Sequence, residues 1–153
     1  MTTTNLGMTK PTVGGSNNTW GAEINAVIDE LDKQSLQSFT VACSDETTAL
    51  TTGTDKAKFR LPYGFVATEV RGSVTTAPTG AALIVDINIS GSSILSTKLT
   101  IDAGEKTSTT AATPAVISTP TIADDAEASF DIDQVGSTIA GAGLKVTIIG
   151  YID

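Results

Sequence analysis

The chain contains no histidine. That removes the Ser-His-Asp triad, the Cys-His nucleophile pair and every His-ligated metal site. It contains one cysteine, Cys43, so no disulfide can close within the chain and no thiol framework is present. Aromatics are scarce, with one Trp, two Tyr and four Phe, which leaves few rings on which a sugar or base could stack. Basic residues number nine against seventeen acidic ones, a net charge of −8, and they are scattered along the sequence. Nucleic-acid binding needs a concentrated basic face, so it is not expected. No apolar run approaches the roughly 18 residues of a spanning helix, and membrane insertion is not expected. Met1–Asn5 has neither the basic nor the apolar region of a signal peptide, so none is expected.

What remains is a chain of 153 residues, the length of one domain with room for an extra element. Thr (26), Ala (18), Gly (14) and Ser (13) dominate. Mean hydropathy is +0.13 and apolar residues make up 40%, enough for a packed core. Thr favours half-buried pleated surfaces, while Gly and Ser favour turns. The composition is that of a Thr-rich all-β protein.

Two parts are expected, residues 1–37 and residues 38–153. The first opens with a polar, turn-prone arm bearing Gly7, Pro11, Gly14, Gly15, Asn17 and Asn18. Nothing in it can form a core, so a neighbouring chain is expected to hold it. A helix follows, with Asn18 or Thr19 suited to its N-cap. Trp20, Ile24, Val27 and Leu31 recur at the spacing of a coiled-coil seam, and Ile28 widens the stripe. Two destinations are open for it: its own β-body, or two further copies on a symmetry axis.

The second part reads as about eight strands: Ser38–Cys43, Lys58–Leu61, Phe65–Val74, Leu83–Ser90, Ile94–Ile101, Ala115–Ser118, Ala126–Asp133 and Leu144–Ile152. Apolar and polar residues alternate in them as in strands with one wet face. In Phe65–Val74 the expected inner face carries Val66, Val70 and Val74; in Leu144–Ile152 it carries Leu144, Val146, Ile148 and Ile152. Gly91-Ser92 suits a two-residue hairpin loop. Many short antiparallel strands separated by turns predict an all-β fold, a single jelly-roll-like β-sandwich preceded by the arm and one short helix.

Candidate chemistry is thin. Asp124, Asp125 and Glu127, with Asp131 and Asp133, lack the spacing of a Ca²⁺ loop and read as a solvated loop and strand face. A glycosidase-like carboxylate pair cannot be placed from spacing. Cys43 is in phase with Phe39 and Val41 and reads as a small core residue. Lys56, Lys58, Arg60 and Arg71, in or near two strands expected to be adjacent, read as ordinary solubilising charges. Tyr63, Tyr151 and Trp20 are the candidate rings for a sugar-binding surface. No catalytic residue, cofactor or metal ligand is expected.

The most specific pattern is Leu6-Gly7-Met8-Thr9-Lys10-Pro11-Thr12-Val13-Gly14-Gly15-Ser16-Asn17-Asn18-Thr19-Trp20-Gly21, followed by Ile24-Asn25 and Leu31-Asp32. It resembles the N-terminal segment of bacteriophage tail-fibre and related virion proteins, in which a Lys-Pro-x-x-Gly-Gly-Ser-x-x-x-Trp-Gly stretch leads into a short helix. The body, Phe39 to Ile152, is similar to small β-modules of marine and freshwater phage proteins. The resemblance implies a non-enzymatic virion protein, a homotrimer whose N-terminus docks on the particle. Lys10, Pro11, Val13, Trp20, Ile24, Val27, Ile28 and Leu31 are then the attachment and oligomer contacts. The implied partners are a tail adaptor or nozzle, for a short fibre, or the major capsid protein, for a decoration protein. A carbohydrate-binding module facing a host surface glycan is the alternative from a different class.

Overall fold

A computed structural model describes residues 20–153. Helix α1 (Trp20–Gln34) leads into eleven strands: β1 (Gln37–Ala42), β2 (Gly53–Arg60), β3 (Phe65–Ser73), β4 (Leu83–Ile89), β5 (Ser92–Ser93), β6 (Leu95–Thr97), β7 (Leu99–Ile101), β8 (Val116–Ile117), β9 (Thr121–Ile122), β10 (Glu127–Gln134) and β11 (Lys145–Ile152). A short 3-10 turn, Ser108–Thr110, interrupts the segment between β7 and β8. The fold is all-β, as the alternation predicts.

Pairing is antiparallel throughout. One sheet has the order β1-β11-β3-β9. The other runs β2-β10-β4, and the far side of β4 is shared by β5 and β7. β6 and β8 form a small separate ladder. The period of two sends one row of each strand inward. Phe65, Val70, Val146 and Ile148 from the first sheet join Val85, Ile87, Phe130 and Ile132 from the second in one buried cluster. Phenylalanine rings link the sheets where β1 and β2 face each other. Phe39 lies 5.1 Å from Phe65 in its own sheet and 5.7 Å from Phe59 in the other, and Phe59 lies 6.2 Å from Phe130. Such ring pairs add to the stabilisation from area burial alone.

The structure corrects the sequence reading at five places. In β3, Glu69 is opposite Ile149 and Ala67 opposite Gly150, so Thr68 is an extra residue, a β-bulge. The bulge shifts the alternation by one. Phe65 and Ala67, not Val66, share the core with Val70. In β11 the same bulge brings the chains together at Gly150. A Cβ there would lie 2.0 Å from Val66 O and 2.8 Å from the Phe65 ring, so the inner position belongs to glycine and Ile152 is 48% exposed.

The hairpin loop after β4 is Ser90-Gly91 rather than Gly91-Ser92, since Ile89 pairs with Ser92. Both loop residues have positive φ, 50° and 83°, which matches the strand twist as a type I′ turn does. The expected strand Ile94–Ile101 is broken. Its start and end both pair with β4, but the register jumps from Asn88↔Ser93 to Val85↔Leu99, so β6 is extruded to meet β8. The buried carboxylate of Asp86 sits at this break. It accepts from Ile87 N (2.9 Å) and Ser93 Oγ (2.6 Å), and Lys98 Nζ lies 3.0 Å away. A buried charge is tolerable only when bonded in this way. Finally, β2 begins at Gly53, not Lys58, with a register shift opposite Phe130 and Ile132. Its early residues, Gly53-Thr54-Asp55-Lys56, carry no apolar alternation.

Replacing Gly150 by Ala should lower stability in urea unfolding by roughly 1–3 kcal/mol, the cost of an overpacked site. Ile152→Ala, on the exposed side of the same strand end, should change it by less than about 0.5 kcal/mol.

Candidate interaction surfaces

The helix stripe carries the sequence-predicted interface residues that the structure describes. Ile24 is 41% exposed, Val27 60% and Leu31 52%, while Ile28 is half-buried. Trp20 is the first residue of α1. Lys10, Pro11 and Val13, with the proposed N-caps Asn18 and Thr19, lie outside the described residues. Ile24, Val27 and Leu31 stand at intervals of three and four, so they share one side of the helix. None of the α1 side chains that the structure describes belongs to the hydrophobic cluster of the β-body. Leu36, in the link to β1, is also exposed, at 45%.

Several side chains with nucleophilic or acid–base character are tied into local packing and bonding. Cys43 is buried, and burial pushes its thiol up to about 12. The thiolate is the reactive form, so this sulfur is inert at neutral pH. The backbone N–H groups of Thr48 (2.6 Å) and Thr47 (2.8 Å) donate to Asp45 and hold its carboxyl down at about 2. Lys145 and the Thr75 hydroxyl do the same, in direction, for Glu46. On the outer face of the second sheet Lys58 bridges Asp55 (3.0 Å) and Glu127 (3.4 Å), and Arg60 reaches Asp125 (3.5 Å). Asp131 accepts from Asp55 N (2.7 Å) and Asn88 Nδ2 (2.9 Å). Among the described residues, no three His, Cys, Asp or Glu side chains converge as metal ligands.

The basic residues do not form one patch, because β2 and β3 lie in different sheets. Arg71 instead forks onto Glu69, with Nε to Oε1 at 2.6 Å and Nη2 to Oε2 at 3.0 Å. Tyr63 does not offer an open platform. It is half-buried, with its ring 5.6 Å from Phe39.

The structure adds a feature that sequence reading misses. A groove of about 390 Å³ runs beside β3, with Glu69, Val70 and Arg71 on one side and Leu99, Pro114 and Ile117 among its apolar walls. Thr68, Ser108 and Thr109 bring hydroxyls to it. It exists because β9 covers β3 only at Phe65 and Val66, so the rest of that sheet edge is left to the irregular segment 108–117. Nothing local in the sequence signals it; the signal is the bulge at Thr68 and the shortness of β9.

Cys43 should resist a soluble disulfide reagent at about pH 8 in the native protein and react once it is unfolded. Burial raises its folded pKa to about 12, above the ordinary thiol value of 9.0, so the neutral thiol is favoured by folding. The associated stability is complete below pH 9.0 and is lost as pH rises towards about 12. Cys43→Ala should remove that part of the alkaline slope in pH-dependent unfolding.

Compared with known proteins, the chain matches no family model, no curated protein and no solved structure.

Proposed function

We propose that this chain is a non-enzymatic structural component of a bacteriophage virion: a short, trimeric, fibre-like tail appendage. In this reading the N-terminal segment anchors the trimer to the particle through a tail adaptor or nozzle, and the β-body, read as a jelly-roll-like sandwich, faces outward. The observation that carries the reading is the exposed row Ile24, Val27 and Leu31 on a helix none of whose described side chains joins the core of its own β-body. An apolar row at coiled-coil spacing gains most by meeting copies of itself, since burial is worth about 1.5–3 kcal/mol per large side chain. The resemblance of residues 6–21 to virion anchoring segments supplies the setting. The β-body suits the outward role. Its thiol is inert, and most of its described surface charges are paired.

Light scattering after size-exclusion chromatography should give a trimer for the full chain at micromolar concentration. Val27→Asp places three charges on the proposed axis and should yield a monomer whose β-sheet circular dichroism is unchanged. A wild-type chain that remains monomeric contradicts the assembly. Deleting residues 1–18 should abolish incorporation into particles while the β-body stays folded. Localisation of the retained full-length protein to the capsid lattice instead of the tail would replace the fibre by a decoration protein.

A further inference from the structure

The geometry points to the groove beside β3 as a binding site for a sugar or polyol unit that presents a vicinal diol. The inference stands apart from trimer assembly, because β11 and β1 separate β3 from the chain end that carries α1.

The argument begins with the backbone. Cys43 N donates to Leu144 O (2.8 Å), and Cys43 follows directly on β1, so the even-numbered residues of β11 turn their polar groups to β1 and the odd-numbered ones to β3. Glu69, Arg71 and Ser73 lie opposite the odd residues Ile149, Thr147 and Lys145, and bond to β11. Val70 and Gly72 therefore turn their N–H and C=O groups the other way, towards the groove side. Gly72 N finds Ser108 Oγ at 2.8 Å, and beyond it Val74 N finds Lys106 O at 3.0 Å. On the other flank Ala67 N finds Pro120 O at 2.8 Å. Between these anchors the same phase turns the N–H and C=O of Val70 towards the groove that Val70 lines. A backbone donor and acceptor turned towards a groove offer a ligand a ready pair of hydrogen bonds.

The surroundings define what answers it. The Val70 donor and acceptor sit side by side, and a hydroxyl can both accept and donate, so two adjacent hydroxyls satisfy the pair. The Glu69–Arg71 fork uses one lone pair on each carboxylate oxygen and two of the guanidinium N–H groups, which leaves an Nη1 donor edge and further lone pairs. Because the fork is internally neutral, it selects an uncharged polyol over an anion. Leu99, Pro114 and Ile117 supply apolar surface for the C–H face of a ring. The volume, about 390 Å³, falls at the lower end of small-ligand pockets and admits one sugar ring.

The test uses the ¹⁵N-labelled full chain titrated with methyl α-mannopyranoside, methyl β-galactopyranoside and methyl β-glucopyranoside, read by amide shifts. At least one should move the Val70 amide saturably, with a Kd on the order of 1–10 mM. Arg71→Ala should weaken that binding about tenfold or more, and Glu69→Gln, which keeps the side-chain shape, should weaken it as well. Thr40→Ala, on the outer face of β1, should leave it unchanged. The monomeric Val27→Asp chain should bind like wild type, so loss of assembly and loss of binding are separate results. Absence of a saturable Val70 shift with all three sugars overturns the proposal. So does an equal shift in Arg71→Ala, or a Val70 shift produced only by a short extended peptide, which would make the groove a strand-docking edge.

Discussion

Burial of two inward-facing rows of apolar side chains, one from each antiparallel sheet, is the interaction on which the other features depend. Phe65, Val70, Val146 and Ile148 can be dry only if Val85, Ile87, Phe130 and Ile132 cover them. The requirement fixes the register of every long strand, since a slip by one residue would send each row to solvent. It also explains the irregularities. The Thr68 bulge keeps Phe65 and Val70 both inside although they stand five positions apart, an odd spacing that strict alternation would place on opposite faces. Gly150 lets β3 and β11 close beneath the Phe65 ring.

The same constraint leaves the outer faces polar and largely self-satisfied. Lys58, Arg60, Arg71 and Lys98 each meet a carboxylate. Exposed pairs of this kind add little stability singly, but they leave few unmatched charges to attract a charged ligand. Asp133 and then Asp86 raise the pKa of Lys98, which keeps it cationic over the break between β5 and β7. Against this background two features stand out: the exposed apolar row on α1, and the groove beside β3 at Val70. In the proposed reading, the first meets other copies of the chain and the second a small hydroxylated ligand. Both suit the proposed outward-facing, assembled component.

Much of the fold was legible in the residues. Alternation located β1, β3, β4, β10 and β11 to within a residue or so, because each has one wet and one dry face. It failed where the period breaks for a physical reason. The bulge at Thr68 reversed the face of Val66, and the extrusion of β6 divided a run whose Leu95, Leu99 and Ile101 are all buried. Two-residue strands such as Ser92–Ser93 and Thr121–Ile122 are too short to show any period. The spacing of Ile24, Val27 and Leu31 gave the helix and its stripe, but not where the stripe goes. The groove was invisible because it is made by a bulge, a truncated strand and a segment some forty residues away in sequence.

The central claim is that the α1 row is made for other copies of the chain. The most direct measurement is a side-chain-resolution map of the purified full-length assembly. The account predicts three α1 helices around a threefold axis, with Ile24, Val27 and Leu31 pointing towards it. A map in which those side chains face water, or lie against the β-body of their own chain, contradicts it.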